Sequence, residues 1–314
     1  MTQPLAAGAA DLLEPHRRHL WGLCYRMTGN AADADELVQE TFVRALERPP
    51  ARTDEPWRPW LLRVAMNLAR DLLRHRRRSP YRGTWLPSPI GTDADDAPPA
   101  YEIPSESGSP TEGRYELLES VSFAFLLALE ALKPSQRAVL LLRDVFDYSV
   151  RETADALGMS EGNVKVTHLR ARRAMAAYDR RRCVPTRELQ ARTGEALQRF
   201  MAALSSDDAA AMEALLSEDV RHLSDGGEYA AAHRPVVGRD RVRRLFFGLN
   251  RRGGARASYT VRTINGLPAL LIDFDVHSPR QAPHGVVRLD IDSDGRVTAV
   301  HAVLASRKLT AVRF

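Results

Sequence analysis

The densest chemistry in this 314-residue sequence lies between Val150 and Arg173. Ala154, Gly158 and Val164 stand at spacings of four and six. They supply a small residue where two helices cross, a residue tolerant of positive φ in the turn, and an apolar residue on the second helix facing back, which together specify a helix-turn-helix. Ser160 is placed to cap the second helix, which runs on through Lys165, His168, Arg170, Arg172 and Arg173. In a DNA-reading role Glu161, Asn163, Lys165 and Thr167 would meet base edges in the major groove, and Arg170, Arg172 and Arg173 would anchor phosphates. An ordinary αα-hairpin with a basic outward face explains the same residues only if spacing and charge coincide by chance.

A second constellation lies upstream, where the acidic stretch Ala32 to Phe42 is followed by the Arg-rich stretch Trp57 to Arg78. One helix of each kind, side by side, fits a surface that grips a protein on one side and nucleic acid on the other; a merely solvated face would look the same. Downstream, Asp225 or Asp273 could pair with His222, His277 or His301 for acid/base work. Asp225-Gly226-Gly227 is first of all a turn, however, and nothing in the sequence brings these groups together. No enzymatic activity is therefore expected. Cys24 and Cys183 are far apart and lack His or Cys neighbours at ligand spacing, so no disulfide framework, zinc module, metal or cofactor is expected.

The elements that must hold these residues divide the chain into four stretches. Over 8–78 apolar residues recur at helical spacing (Leu20, Leu23, Met27; Leu37, Val38, Phe42; Leu61, Val64, Ala65, Leu68) and predict a helical bundle. Residues 79–115 hold seven Pro, four Gly and five Ser without periodicity and read as a linker. Inside it the apolar island Trp85-Leu86-Pro87-Ser88-Pro89-Ile90 gains nothing unless it docks on something. Residues 116–182 return to helix, and 185–314 begin with a long helix and continue in alternating strands, predicting an α+β domain with a curved antiparallel sheet. Asp294-Gly295 reads as a hairpin turn.

Charge follows the same division. The formal net charge is only +5, yet six Arg and one Asp fall within Arg63 to Arg78, and seven basic residues and one Asp within Asn163 to Arg182. The linker between them carries two basic and six acidic residues, and Asp93, Asp95 and Asp96 are placed to shield the basic faces in the free protein. No run approaches the roughly 18 apolar residues of a spanning helix, and no signal peptide precedes the bundle, so a cytoplasmic protein without membrane contact is expected.

Three segments taken together resemble the extracytoplasmic-function group of bacterial sigma factors: Asp35 to Phe42, Trp60 to Ala65 with Asn67, Asp71 and Arg74, and the helix-turn-helix. The resemblance covers about residues 11 to 180. It implies that the first domain binds the clamp of core RNA polymerase and captures the minus-ten element, and that the second reads the minus-thirty-five element. Residue by residue, it puts Asp35, Glu36 and Gln39 on the polymerase-binding helix and Arg63, Asn67, Arg70, Asp71 and Arg74 beside the minus-ten strand. Glu161, Asn163, Lys165, Thr167, Arg170, Arg172 and Arg173 then fall to the minus-thirty-five element.

Residues 186 to 314 resemble the SnoaL-like, nuclear-transport-factor-2-like cone fold; the linker island and Ser224 to Glu228 match marks of a sigma-factor subgroup with such an extension, and Ser306 to Leu309 matches its C-terminal mark in part. The expected architecture is thus two all-α domains followed by an α+β cone. On this reading Trp85, Leu86, Pro87, Asp225, Gly226 and Gly227 are regulatory contacts through which the cone, in place of a separate anti-sigma protein, sets how readily the sigma domains open. The expected partners are core RNA polymerase and promoter DNA, with the free protein a monomer. Two other readings remain: a one-component regulator whose cone binds a small ligand, and a cone-fold isomerase or hydrolase with a DNA-binding appendage.

Overall fold

The computed structural model describes residues 9–49, 57–78, 81, 83–92, 114–253, 257–276 and 278–314. Two compact units make up the chain, one of Met1–Pro80 with Ala97–Cys183 and one of Tyr81–Asp96 with Val184–Phe314.

The first unit is helical: α1 (Ala9–Thr28), α2 (Ala31–Glu47), α3 (Trp57–Arg78), α4 (Phe123–Leu129), α5 (Pro134–Asp144), α6 (Val150–Leu157) and α7 (Glu161–Asp179). Local chemistry sets the ends of these helices. Gly29 takes φ 64° between α1 and α2, and the Asn30 side chain accepts from Ala32 N at the start of α2. Ser149 and Glu152 form a capping box on α6, and Pro134 opens α5. On α2 the face read from periodicity is buried at Leu37, Val38 and Ala45 with Phe42 half-buried; on α3 Leu61 and Ala65 are buried as read, whereas Val64 and Leu68 are half-buried and Leu62, Met66, Ala69 and Leu73 complete the buried face.

What the sequence reading kept apart, the bundle of α1–α3 and the bundle of α4–α7, shares one compact unit. Two arginines sew them together, 0% and 2% exposed. Arg26 of α1 donates to Ser120 Oγ at 2.7 Å and to Leu117 O at 3.2 Å, and Arg137 of α5 donates to Met27 O at 2.8 Å and Leu129 O at 2.7 Å. A buried guanidinium is tolerated only where protein acceptors replace its water; Arg26 has them on all three nitrogens, and Arg137 on its two terminal nitrogens, one of which also pairs with Glu130.

The second unit carries α8 (Arg187–Ser205), α9 (Ala209–Leu215), β1 (Leu216–Asp225), β2 (Val236–Val237), α10 (Arg239–Gly253), β3 (Ala257–Ile264), β4 (Leu267–Phe274), β5 (His284–Ile291) and β6 (Val297–Val303). The strands form one sheet in the order β2-β1-β6-β5-β4-β3. It is mixed rather than wholly antiparallel, because β1 pairs parallel to β6. Asn265-Gly266 (φ 50° and 83°) closes the β3–β4 hairpin, and Gly295 (φ 76°) turns β5 into β6. The helices lie on one sheet face, where Leu197, Phe200, Phe246, Leu270, Val287 and Val300 fill the core. The linker island belongs to this unit. Leu86, Ser88 and Ile90 are buried, and Asn265 receives Ile90 N on its Oδ1 while donating its own N–H to Ile90 O.

Candidate nucleic-acid interface and linker site

The helix-turn-helix has the geometry its spacing implies. Gly158 ends α6 in the left-handed region at φ 61°, ψ 43°, and an added Cβ there meets nothing within 4 Å, so its glycine answers to conformation rather than to crowding. Ser160 caps α7, accepting from Asn163 N at 3.3 Å. Val164 faces back and is fully buried, with Ala171 and Met175 continuing its stripe.

The residues expected to touch DNA from α7 divide. Glu161, Asn163, Lys165, Arg170 and Arg173 are exposed. Thr167 is not available as a base reader: it lies in the buried stripe and its hydroxyl donates to Asn163 Oδ1 at 3.2 Å. Arg172 is engaged as well, holding both oxygens of the buried Asp144 at 3.0 and 2.7 Å while His168 Nε2 lies 2.8 Å from the same carboxylate. Burial alone would push the Asp144 carboxyl up, but the bonds from His168 and Arg172 outweigh it and hold it below the usual carboxylate range. Arg182, at the end of the same basic block, is likewise spent on the buried Glu119.

On α3 the positions expected to face the minus-ten strand are mostly at the surface, yet their cations have protein acceptors. Arg63 donates to Asp155 O at 3.1 Å and Arg70 to Leu157 O at 3.1 Å, the carbonyls that end α6. Cations belong there, since the C-terminal carbonyls of a helix carry its negative pole. Arg70 also reaches Asn67 at 3.3 Å, and Arg74 pairs with Asp71 at 2.6 Å. Farther along, Arg76 donates to Thr28 O at 2.8 Å and pairs with Asp33, and Arg77 bonds Leu132 O.

The outward face of α2 shows Asp35, Glu36 and Gln39 exposed, with Val43 and Leu46 beside them. Asp35 accepts from Trp21 Nε1 at 2.7 Å, and its partial burial raises the carboxyl above its ordinary range against that bond. Acidic side chains thus surround exposed apolar ones on this face.

In the second unit the turn Asp225-Gly226-Gly227 and the linker island meet in one polar site. The two oxygens of Asp225 take Tyr81 Oη at 2.5 Å, Leu86 N at 2.9 Å and Lys308 Nζ at 2.5 Å. Lys308 Nζ also donates to Leu86 O at 2.5 Å, and lies 4.8 Å from the Tyr81 ring centre and 4.4 Å from that of Trp85. Leu86 thus has both backbone polar groups satisfied by one buried ion pair. The glycines explain themselves: a Cβ on Gly226 would lie 2.5 Å from Ala231 Cβ, and one on Gly227 (φ 55°) would lie 2.6 Å from Ala305 Cβ. Pro87 is buried alongside. Lys308 is the residue the sequence reading missed, though it lay within the partial C-terminal match.

Among the described residues the acid/base candidates do not converge. Asp225 is committed to the linker, Asp273 lies at the surface 2.7 Å from His284, and His301 shares a sheet face with Arg288 and Asp290. His222 is on the opposite, helix-covered face against Phe246, where burial drives its imidazole down to about 4. His277, like Asp93, Asp95 and Asp96, lies outside the described residues. Among the described residues no group of three or more His, Cys, Asp or Glu could hold a metal ion, and no helix is long and apolar enough to cross a membrane.

Residues 12–79 match the family described as Sigma-70 region 2 and residues 122–175 that described as Sigma-70, region 4. The ECF RNA polymerase sigma factor SigJ of Mycobacterium tuberculosis (strain ATCC 25618 / H37Rv) is 34% identical over 244 residues, 77% of this chain and 73% of SigJ. The chain belongs to the ECF RNA polymerase sigma factors. Probable ECF sigma factor SigI of the same organism (strain CDC 1551 / Oshkosh) is 26% identical over 302 residues, 95% of this chain and 93% of that relative. The crystal structure of Mycobacterium tuberculosis SigJ superposes with a TM-score of 0.69 at 28% identity, covering 95% of this chain and 97% of that one. As an ECF sigma factor the protein directs transcription initiation, and its second unit is the α+β domain expected from the strand pattern.

Proposed function

We propose that this sigma factor engages core RNA polymerase through the exposed face of α2 (Asp35, Glu36, Gln39), the minus-ten strand through α3 and the minus-thirty-five element through α7, and that its SnoaL-like domain regulates it by holding the linker. The observation that carries the regulatory part is the Asp225–Lys308 pair closed on Leu86. The linker runs between α3 and α4, so fixing Tyr81 and residues 83–92 on another domain removes them from the span that lets the two helical bundles separate. The bonds of Arg63 and Arg70 to the end of α6 support the same view: cations needed for promoter phosphates are occupied by the neighbouring bundle. Opening would release both sets of groups together.

Run-off transcription by reconstituted holoenzyme tests the reading. A chain ending after Arg182 and the full chain carrying Lys308→Met should both differ from wild type, and in the same direction. Equal activity of all three at saturating and limiting core polymerase would refute regulation through the linker. Failure of the wild-type chain to bind core polymerase would refute the placement of its partner face.

A further inference from the structure

In the middle of the basic face of α7 two large apolar side chains stand in solvent. Val166 is 48% and Leu169 52% exposed, while Lys165, Arg170 and Arg173 are exposed around them. At 100° per residue, Gly162, Val166, Leu169 and Arg173 fall in one narrow strip, opposite the buried stripe of Val164, Thr167, Ala171 and Met175. Among the described residues of the first unit none covers this strip. Gly162 adds a second anomaly: it is helical, its φ is not positive, and an added Cβ would meet nothing within 4 Å. Glycine weakens a helix relative to alanine, and neither backbone conformation nor packing accounts for it here.

We propose that Val166 and Leu169 read thymine, packing on C5-methyl groups in the minus-thirty-five element, and that Gly162 clears the space for the first turn of α7 to approach the base edges. The thymine methyl is the apolar group that the major groove offers, and an apolar strip flanked by cations matches a groove floor between two phosphate walls. Exposed Thr167 would have been a polar reader, but it is turned inward, which leaves the centre of the contact apolar. The inference rests on the reading of α7 as the minus-thirty-five helix and names what that helix discriminates.

The test uses holoenzyme reconstituted from the full chain and core polymerase, with a promoter recovered from a duplex library randomised at the minus-thirty-five element. Each thymine of the recovered element is replaced in turn by deoxyuridine, which removes only the methyl. At the thymines facing the strip, wild type should lose about fourfold in affinity, the worth of one buried methyl. Val166→Ala or Leu169→Ala should abolish that loss while leaving deoxyuridine duplexes bound as before. Both substitutions lie on an exposed helix face and keep its propensity, so folding is not at stake. Arg173→Ala should weaken thymine and deoxyuridine duplexes equally. A recovered element without A·T pairs overturns the proposal, and so does indifference of wild type to deoxyuridine while Arg173→Ala still weakens binding. Loss of core polymerase affinity in Val166→Ala would instead make the strip a protein contact. If neither Arg173→Ala nor deoxyuridine changes binding, α7 is not the reader and both readings fall.

Discussion

Lys308 Nζ lies 2.5 Å from Asp225 Oδ2, with the two side chains 4% and 0% exposed, and between them they bind both backbone polar groups of Leu86. Two charges removed from water in this way are stable only as a set. Taking one away leaves the other buried and unpaired, at a cost of about 3–5 kcal/mol. Lys308→Met and Asp225→Asn should therefore each destabilise the α+β domain by an amount of that order in chemical denaturation. Each should also expose the linker near Trp85 to limited proteolysis, and unchanged cleavage would show that the pair does not hold it.

Gly226 and Gly227 make a separate prediction, because they act through shape. An alanine at 226 would place its Cβ against Ala231 and the Tyr229 carbonyl, and one at 227 would meet Ala305 from a left-handed backbone. Either change should lower the thermal midpoint, at a cost of about 1–3 kcal/mol. Linker protection should fall with it although no charge has been altered. A Gly227→Ala protein with wild-type melting and protection would contradict the crowding argument.

Arg63 and Arg70 are expected to exchange carbonyls of α6 for promoter phosphates. If each makes one phosphate contact, Arg63→Ala and Arg70→Ala should each reduce the salt slope of open-complex formation by about one. The same changes remove bonds between the two helical bundles, so hydrogen exchange at Asp155 to Gly158 should quicken in the free protein. An unchanged salt slope in both variants would place the minus-ten contact elsewhere.

His222 ties stability to pH. Its imidazole titrates at about 4 in the fold against 6.5 for the free side chain, because burial disfavours the charged form. Between these values the unfolded chain binds the proton and the folded one does not, so stability is full above about pH 6.5 and falls as the pH is lowered toward 4. The loss is on the order of 3 kcal/mol across that window. His222→Phe, packed against Phe246, should flatten the slope of denaturation free energy between pH 7 and 4.5, and a slope equal to wild type would assign the acid sensitivity to other groups.

The sequence was most informative where structure is local. Capping residues, the Gly158 turn and the centre of the apolar stripe of α2 lie where the local pattern put them, since each depends on neighbours within a turn or two. Strands β3 to β6 were legible for the same reason. Residues 216–225 and 239–253 were not read as the strand β1 and the helix α10, because β1 is specified by its parallel pairing with a strand near the far end of the chain. The candidate DNA residues show the same limit: Thr167 and Arg172 belong to a basic helix by sequence, but Thr167 packs into the buried stripe and Arg172, though exposed, is paired with the buried Asp144.

The amino-acid order by itself determined the helical bundles, the linker, the α+β domain and the family to which they belong, because these follow from residue spacing and short motifs. Tertiary structure alone decided which arginines face outward and which are consumed inside the first unit. It alone joined Lys308 to Leu86 across 222 residues and to Asp225 across 83. The physical reason is that burial and ion pairing depend on what lies opposite in space, and a linear pattern of hydrophobicity and charge records only what lies nearby along the chain.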